Sequence, residues 1–252
     1  MHYLIRALGA EFSKTRRTLA LLLTFVAPVV VALLQFCMLM QNPNRVVDPS
    51  GGEWESTMRS AMVLWALLML PLFVTLETAL TAGLDHDSRA WKWLFALPLP
   101  RWSHYTAKLV ANAALIALST AVMAVAAAGV GLGLRWLRPG TGYEAAVPWG
   151  FIAENAALVY VAALLIIAVH TWVGMRSRNF VAAIAVGIIA TFAAVMAINS
   201  KYVDDYPWTL LGYLVMSLKD TGIAWRALAL SVGGAAAVSM VGCWDFCRQD
   251  AA

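Results

Sequence analysis

The chain has 252 residues, 62% of them hydrophobic and 13% charged, with a formal net charge of +4. Soluble domains run at about 45–50% apolar and about 25% charged residues, so this composition points away from a water-soluble fold. The basic residues are scattered rather than gathered on one face, which argues against a nucleic-acid partner, and Cys37, Cys243 and Cys247 have no metal-ligand spacing and read as small apolar packers.

Residues 2–15 precede the first long apolar stretch. Leu4, Ile5, Leu8 and Phe12 fall on one helical face, with His2, Arg6, Ser13 and Lys14 away from it. That pattern predicts a helix lying in the membrane interface against lipid, apolar face down. Arg16 and Arg17 then mark the approach to the bilayer. A transmembrane helix needs roughly 20 apolar residues, and six stretches qualify: Leu19–Met40, Ala61–Ala82, Leu109–Leu134, Phe151–Val173, Phe180–Ile198 and Ala227–Phe246. The first is too long for the apolar core of a signal peptide and reads as a retained span.

Between the first two spans, Gln41–Arg59 is polar and rich in turn residues, which predicts an irregular loop. The second span carries Glu77. An intramembrane acid needs a partner, water or a proton. Glu77 either pairs with a basic side chain such as Lys108, or lines a substrate path or a hinge between subunits. Ser103 stands where it could cap the third span. That span is rich in Ala and Gly, which permits close helix–helix approach in lipid. Glu154, close to the outer end of the fourth span, is the second candidate intramembrane acid: it reads as an interfacial acid near water or as a lining residue of a substrate path. The run from Trp208 to Leu218 is apolar but only half the length needed to cross, and predicts a short external re-entrant helix within 200–226.

With the N-terminus inside, the cytoplasmic segments hold eleven Lys and Arg and the external ones seven. The positive-inside tendency therefore places both termini in the cytoplasm. The expected architecture is all-α: one polytopic transmembrane domain over 1–252, with six spans, an interfacial helix, a cytosolic loop at 85–101 and an external segment at 200–226.

The loop at 85–101 is the most distinctive part of the chain. It opens with Asp85-His86-Asp87 and runs through Arg89, Trp91, Lys92, Trp93, Leu94 and Phe95 to Leu97-Pro98-Leu99-Pro100-Arg101. Pro98 and Pro100 cannot continue a helix, so Ser88–Leu97 reads as a bounded helix of nearly three turns. Trp91 and Phe95, at i and i+4, share a face. They serve as a docking surface, as membrane-interface anchors, or as both. No Walker A string GxxxxGK[ST], no HExxH and no GxSxG occurs, so no catalytic residue and no metal ligand is assigned. His2, His86, His104 and His170 are dispersed.

These residues carry a resemblance. Glu11-Phe12-Ser13-Lys14 leads into the first span; Asp85, Ala90, Trp91-Lys92, Leu94, Leu97-Pro98, Arg101, Tyr105 and Lys108 follow the second; Tyr206-Pro207-Trp208 precedes the last. The set resembles the ABC-2 type permeases, in particular those of bacitracin-export and lantibiotic-immunity transporters. Two departures are Asp85, where the family more often has Glu, and the second proline, Pro100. The resemblance implies a membrane subunit of an ATP-driven exporter in a bacterial cytoplasmic (inner) membrane, moving an amphipathic or hydrophobic compound such as a peptide antibiotic. It implies no cofactor in this chain, a separate ABC ATPase subunit that holds ATP and Mg, and a second permease subunit, identical or homologous. Asp85, Asp87, Arg89 and the segment Trp91–Phe95 would then contact the ATPase. A non-transporting membrane scaffold or sensor is the other class the residues allow, and an intramembrane enzyme the third.

Overall fold

The computed structural model describes residues 2–41, 52–87, 100–139, 142–200, 203, 205–216 and 221–248. Among these residues the chain is almost wholly helical, with no strand. The helices are α1 (His2–Thr15), α2 (Leu19–Gln41), α3 (Gly52–Leu64), α4 (Leu70–Asp87), α5 (Arg101–Leu137), α6 (Trp149–Arg176), α7 (Phe180–Ala197), α8 (Pro207–Met216) and α9 (Thr221–Arg248). A π-helical turn, Trp65–Met69, joins α3 to α4 without a break. Six segments are long and apolar enough to cross a membrane: α2, the combined α3–α4, α5, α6, α7 and α9. They coincide with the six expected spans, because length and apolarity are local properties of the sequence.

The second, third and fourth spans bury 56%, 50% and 50% of their most apolar windows, against 33%, 22% and 17% for the first, fifth and sixth. The α3–α4, α5 and α6 rods therefore form the centre. The outer helices turn apolar faces outward, including Leu22, Phe25, Val29, Leu33 and Met38 on α2. Such a face is stable only against lipid or another apolar surface.

Local chemistry explains the irregular points. Arg17 adopts a left-handed conformation (φ 61°) at the corner between α1 and α2, and Thr18 Oγ1 donates to the Thr15 carbonyl at 2.7 Å. This corner separates α1 from the first span. Pro71 has no N–H for the Leu67 carbonyl, and the ladder widens just before it, with the Leu70 N–H donating to the Trp65 carbonyl. The Asn179 side chain accepts from the N–H groups of Val181 and Ala182 and caps α7.

Two expectations need correction. Residues 52–59 are not irregular: α3 begins at Gly52 and Trp54, Thr57 and Met58 are buried in it. Packing drives this, since the Trp54 ring lies edge-on to Tyr143 and Thr57 shares a 2.6 Å hydrogen bond with the Tyr143 hydroxyl. Ser103 does not cap α5. The helix already begins at Arg101, after Pro100, so Ser103 lies inside the first turn and its hydroxyl donates back to the Pro100 carbonyl at 2.6 Å.

The small residues of α5 act as expected: a Cβ on Gly131 would strike the Trp54 ring, and one on Gly133 would press on Phe36 of α2. The short helix α8 is present, and Leu210, Leu211, Leu214 and Val215 are buried in the protein. Gly212 lets it approach Leu67 closely, and Trp208 meets His170 of α6 edge-on at 5.7 Å.

Candidate functional site

Where α1, the end of α4 and the start of α5 meet, four charged side chains close a ring. Lys14 Nζ lies 2.6 Å from Glu11 Oε1 and 2.7 Å from Asp85 Oδ1. Lys108 Nζ lies 2.5 Å from Glu11 Oε2 and 2.6 Å from Asp85 Oδ2. Each carboxylate bridges both ammonium groups, and the ring is neutral. Glu11 is 4% exposed, Asp85 1% and Lys108 2%; Lys14 alone reaches the surface. Charges this deep are tolerated only when paired and hydrogen-bonded.

Helix periodicity builds the ring. Glu11 and Lys14 stand at i and i+3 on the face of α1 that also buries Ala7 and Thr15. Lys108 lies two turns into α5, with Asn112 one turn further on the same face. From the ring, polar contacts continue into the bundle. Lys108 Nζ donates to the Thr81 carbonyl at 3.1 Å. Thr81 Oγ1 donates to Asn112 Oδ1 at 2.8 Å, and Asn112 Nδ2 donates to Thr171 Oγ1 on α6 at 3.1 Å. Nearby, His86 Nε2 pairs with the Gly174 carbonyl at 3.1 Å, and Arg101 donates to the Cys247 carbonyl at the end of α9. Trp172 donates to Asp245 at 3.0 Å. The ends of α4, α5, α6 and α9, with α1, are thus tied together by polar contacts.

The interfacial-helix residues divide. Ile5 and Phe12 are exposed, while Leu4 and Leu8 are half-buried. Lys14, on the polar side of α1, reaches Asp85 on α4, and Glu11 reaches Lys108 on α5, so this side of α1 is tied to the bundle. Asp85 faces inward and offers no surface to an outside partner. Asp87 is the last residue of α4. Arg89, Trp91, Lys92, Trp93, Leu94 and Phe95 lie outside the described residues. Glu154 is exposed near the start of α6. Glu77 is fully buried, and Lys108 is not its partner, being held by Glu11, Asp85 and the Thr81 carbonyl.

Sequence reading missed Glu11, Thr81, Asn112 and Thr171 as a connected set. One signal was present: Lys108 and Asn112, i and i+4 at the start of an apolar span, are polar residues that need partners on a facing helix.

Burial opposes the charge of Lys14, but Glu11 and Asp85 outweigh it and hold its pKa above the ordinary 10.5. A raised lysine pKa contributes stability that is complete below the unfolded value and lost as pH rises through the folded one. Glu11, Asp85 and Lys108 all face this ammonium. The contribution of Lys14 to the docking of α1 should therefore persist through mildly alkaline pH and be lost only at strongly alkaline pH. Lys14→Arg, which stays charged, should extend it further; limited proteolysis across an alkaline series reads this, and identical profiles for the two proteins would refute it.

Residues 7–194 match the model of a family described as "ABC-2 family transporter protein". No curated protein matches the chain. No solved structure matches it either.

Proposed function

The chain belongs to the ABC-2 transporter family, and on that premise we propose that this membrane transport subunit works in an ATP-driven exporter beside a separate ABC ATPase. The charged ring carries this reading. Asp85 stands two residues before the end of α4 and Lys108 seven after the start of α5, so the ring joins the two helices that flank residues 88–99. Those residues hold the Trp91–Phe95 docking motif in the sequence. Glu11 and Lys14 bring α1 into the same junction. A push on the docking segment or on α1 by a closing ATPase reaches the spans through one stiff charged joint. The nucleotide state then biases a two-state equilibrium of the bundle.

In this reading both termini and the ring lie on the cytoplasmic side of a bacterial inner membrane. Two permease subunits pair, each engaging an ATPase that binds ATP and Mg. Helix α8 dips into the outer leaflet without crossing. The cargo is amphipathic or hydrophobic, with peptide antibiotics the class the family resemblance favours.

The test is co-purification. A Walker-A-bearing ATPase should accompany the chain in detergent, with two copies of each subunit. Trp91→Ala removes a large aromatic of the kind that dominates interfaces, worth about 2 kcal/mol or more. It should weaken ATPase association about 30-fold and uncouple ATP turnover from transport. A chain that purifies without any ATPase, or a Trp91→Ala complex of unchanged affinity and turnover, would favour a scaffold or sensor instead.

A further inference from the structure

Two neighbouring residues of α6, His170 and Thr171, are both buried and stand about 100° apart around the helix, so they reach different neighbours at one height. Thr171 Oγ1 accepts from Asn112 Nδ2 of α5 at 3.1 Å, and Asn112 Oδ1 accepts from Thr81 Oγ1 of α4 at 2.8 Å. The Thr81 carbonyl in turn accepts from Lys108 of the charged ring at 3.1 Å. On the other side, His170 Nε2 lies 3.3 Å from Thr75 Oγ1 of α4. That hydroxyl gives its single proton to the Pro71 carbonyl at 2.8 Å, so it accepts from His170. The His170 ring also meets Trp208 of α8 edge-on, with centroids 5.7 Å apart. Tyr206 stacks on Trp208 at 5.5 Å, and its hydroxyl donates to the Ala190 carbonyl of α7 at 2.9 Å.

A continuous series of contacts thus runs from the ring to α8. Lys108, Thr81, Asn112, Thr171, His170 and Thr75 are all buried. If one of them moved away, its partner would be left unpaired in a low-dielectric interior, which is strongly disfavoured. Side chains tied in this way move together. The two ends are not neighbours: Asp85 of the ring and Thr75 stand ten residues apart on α4, about 15 Å along the helix. Sites more than about 10 Å apart with no shared partner respond independently to substitution. A response shared by the ring and α8 is therefore the signature of the series between them.

We propose that the His170–Thr171 step of α6 couples the seating of α8 to the closure of the charged ring, so that loosening either end loosens the other. Asn112 and Thr171 carry the ring side of this joint, and His170 and Trp208 the α8 side. The coupling is a property of the folded chain and goes beyond the exporter reading, since it holds whatever moves α1. In the topology proposed above, it links a cytoplasmic joint to a helix of the outer leaflet.

Hydrogen exchange of the full chain in nanodiscs, read by mass spectrometry in α1 and in α8, tests it. Trp208→Leu removes the contact with the His170 ring. It should speed exchange in α8 and also in α1, the latter about fivefold or more. Lys14→Met opens the ring at its exposed corner and should speed exchange in α8, since coupling between two sites is reciprocal. Thr171→Val keeps the shape of the side chain and removes its hydroxyl. In that background each substitution should act only at its own end. Thr171→Ser keeps the hydroxyl and should keep the coupling. Asn112→Ala cuts the same link from α5 and takes the place of Thr171→Val should that variant not fold. Exchange in α1 indifferent to Trp208→Leu, or exchange in α8 indifferent to Lys14→Met, would overturn the proposal. So would cross-effects that persist once the Asn112–Thr171 link is cut, or that vanish in Thr171→Ser.

Discussion

Lys108→Met should be the most damaging single change in the charged ring. It leaves Glu11 and Asp85, both almost wholly buried, sharing only Lys14. Removing one partner of a buried ion pair costs roughly 3–5 kcal/mol, because the remaining charge keeps its desolvation penalty without its counter-ion. The same substitution at Lys14, whose side chain is 27% exposed, should cost only about 1 kcal/mol, since water replaces part of the interaction. Combining Lys108→Met with Asp85→Asn leaves Glu11 paired with Lys14 and removes the surplus negative charge. The double variant should therefore be more stable than Lys108→Met alone, the coupling expected of residues in one network. Thermal unfolding of the chain in nanodiscs measures the unaltered chain, the two lysine variants, Asp85→Asn alone and the double variant. Equal losses from the two lysine variants, or a strictly additive double variant, would show that the ring does not act as a unit.

Gly187 on α7 is the second place where a small change should have a large effect. A Cβ there would fall 2.0 Å from Thr75 Oγ1 and 2.6 Å from Thr75 Cβ on α4. Thr75 cannot swing aside cheaply: its hydroxyl donates to the Pro71 carbonyl at 2.8 Å and lies 3.3 Å from His170 Nε2. Gly187→Ala should cost about 1–3 kcal/mol as overpacking, and Gly187→Leu should keep α7 from seating on α4. Gly233 on α9 is the control, with nothing within 4 Å of its would-be Cβ. Gly233→Ala should be neutral or stabilise by up to about 1 kcal/mol through helix propensity. Thr75→Ala in the Gly187→Ala background should recover part of the loss. Equal stability of Gly187→Ala and Gly233→Ala would mean that α4 and α7 do not approach this closely.

The six spans were legible in the residues because each is decided locally. A backbone in lipid must satisfy its own hydrogen bonds, so an apolar run of sufficient length has little choice but to be a helix. The short α8 was legible for the same reason: Trp208–Leu218 is apolar but too short to cross. The glycines of α5 marked a close helix contact before any partner could be named. Residues 52–59 misled because polar and turn-forming residues suggest a loop, while the burial of Trp54 and Thr57 against Tyr143, some ninety residues away, decides the helix.

The assignment of charges to one another belonged wholly to the tertiary structure. Nothing local says that Lys108 answers Glu11 and Asp85 rather than Glu77, since the choice depends on the register and angle of three helices that meet only in the folded bundle. A pattern of apolar residues records which face of a helix is buried, but not which charge on a facing helix will arrive at the same height. The number and order of the membrane helices were thus readable from the residues alone, whereas the full length of the second was not. Packing alone decided that α1 is bound into the core by its charges, and that Glu77 stands buried and apart from the ring.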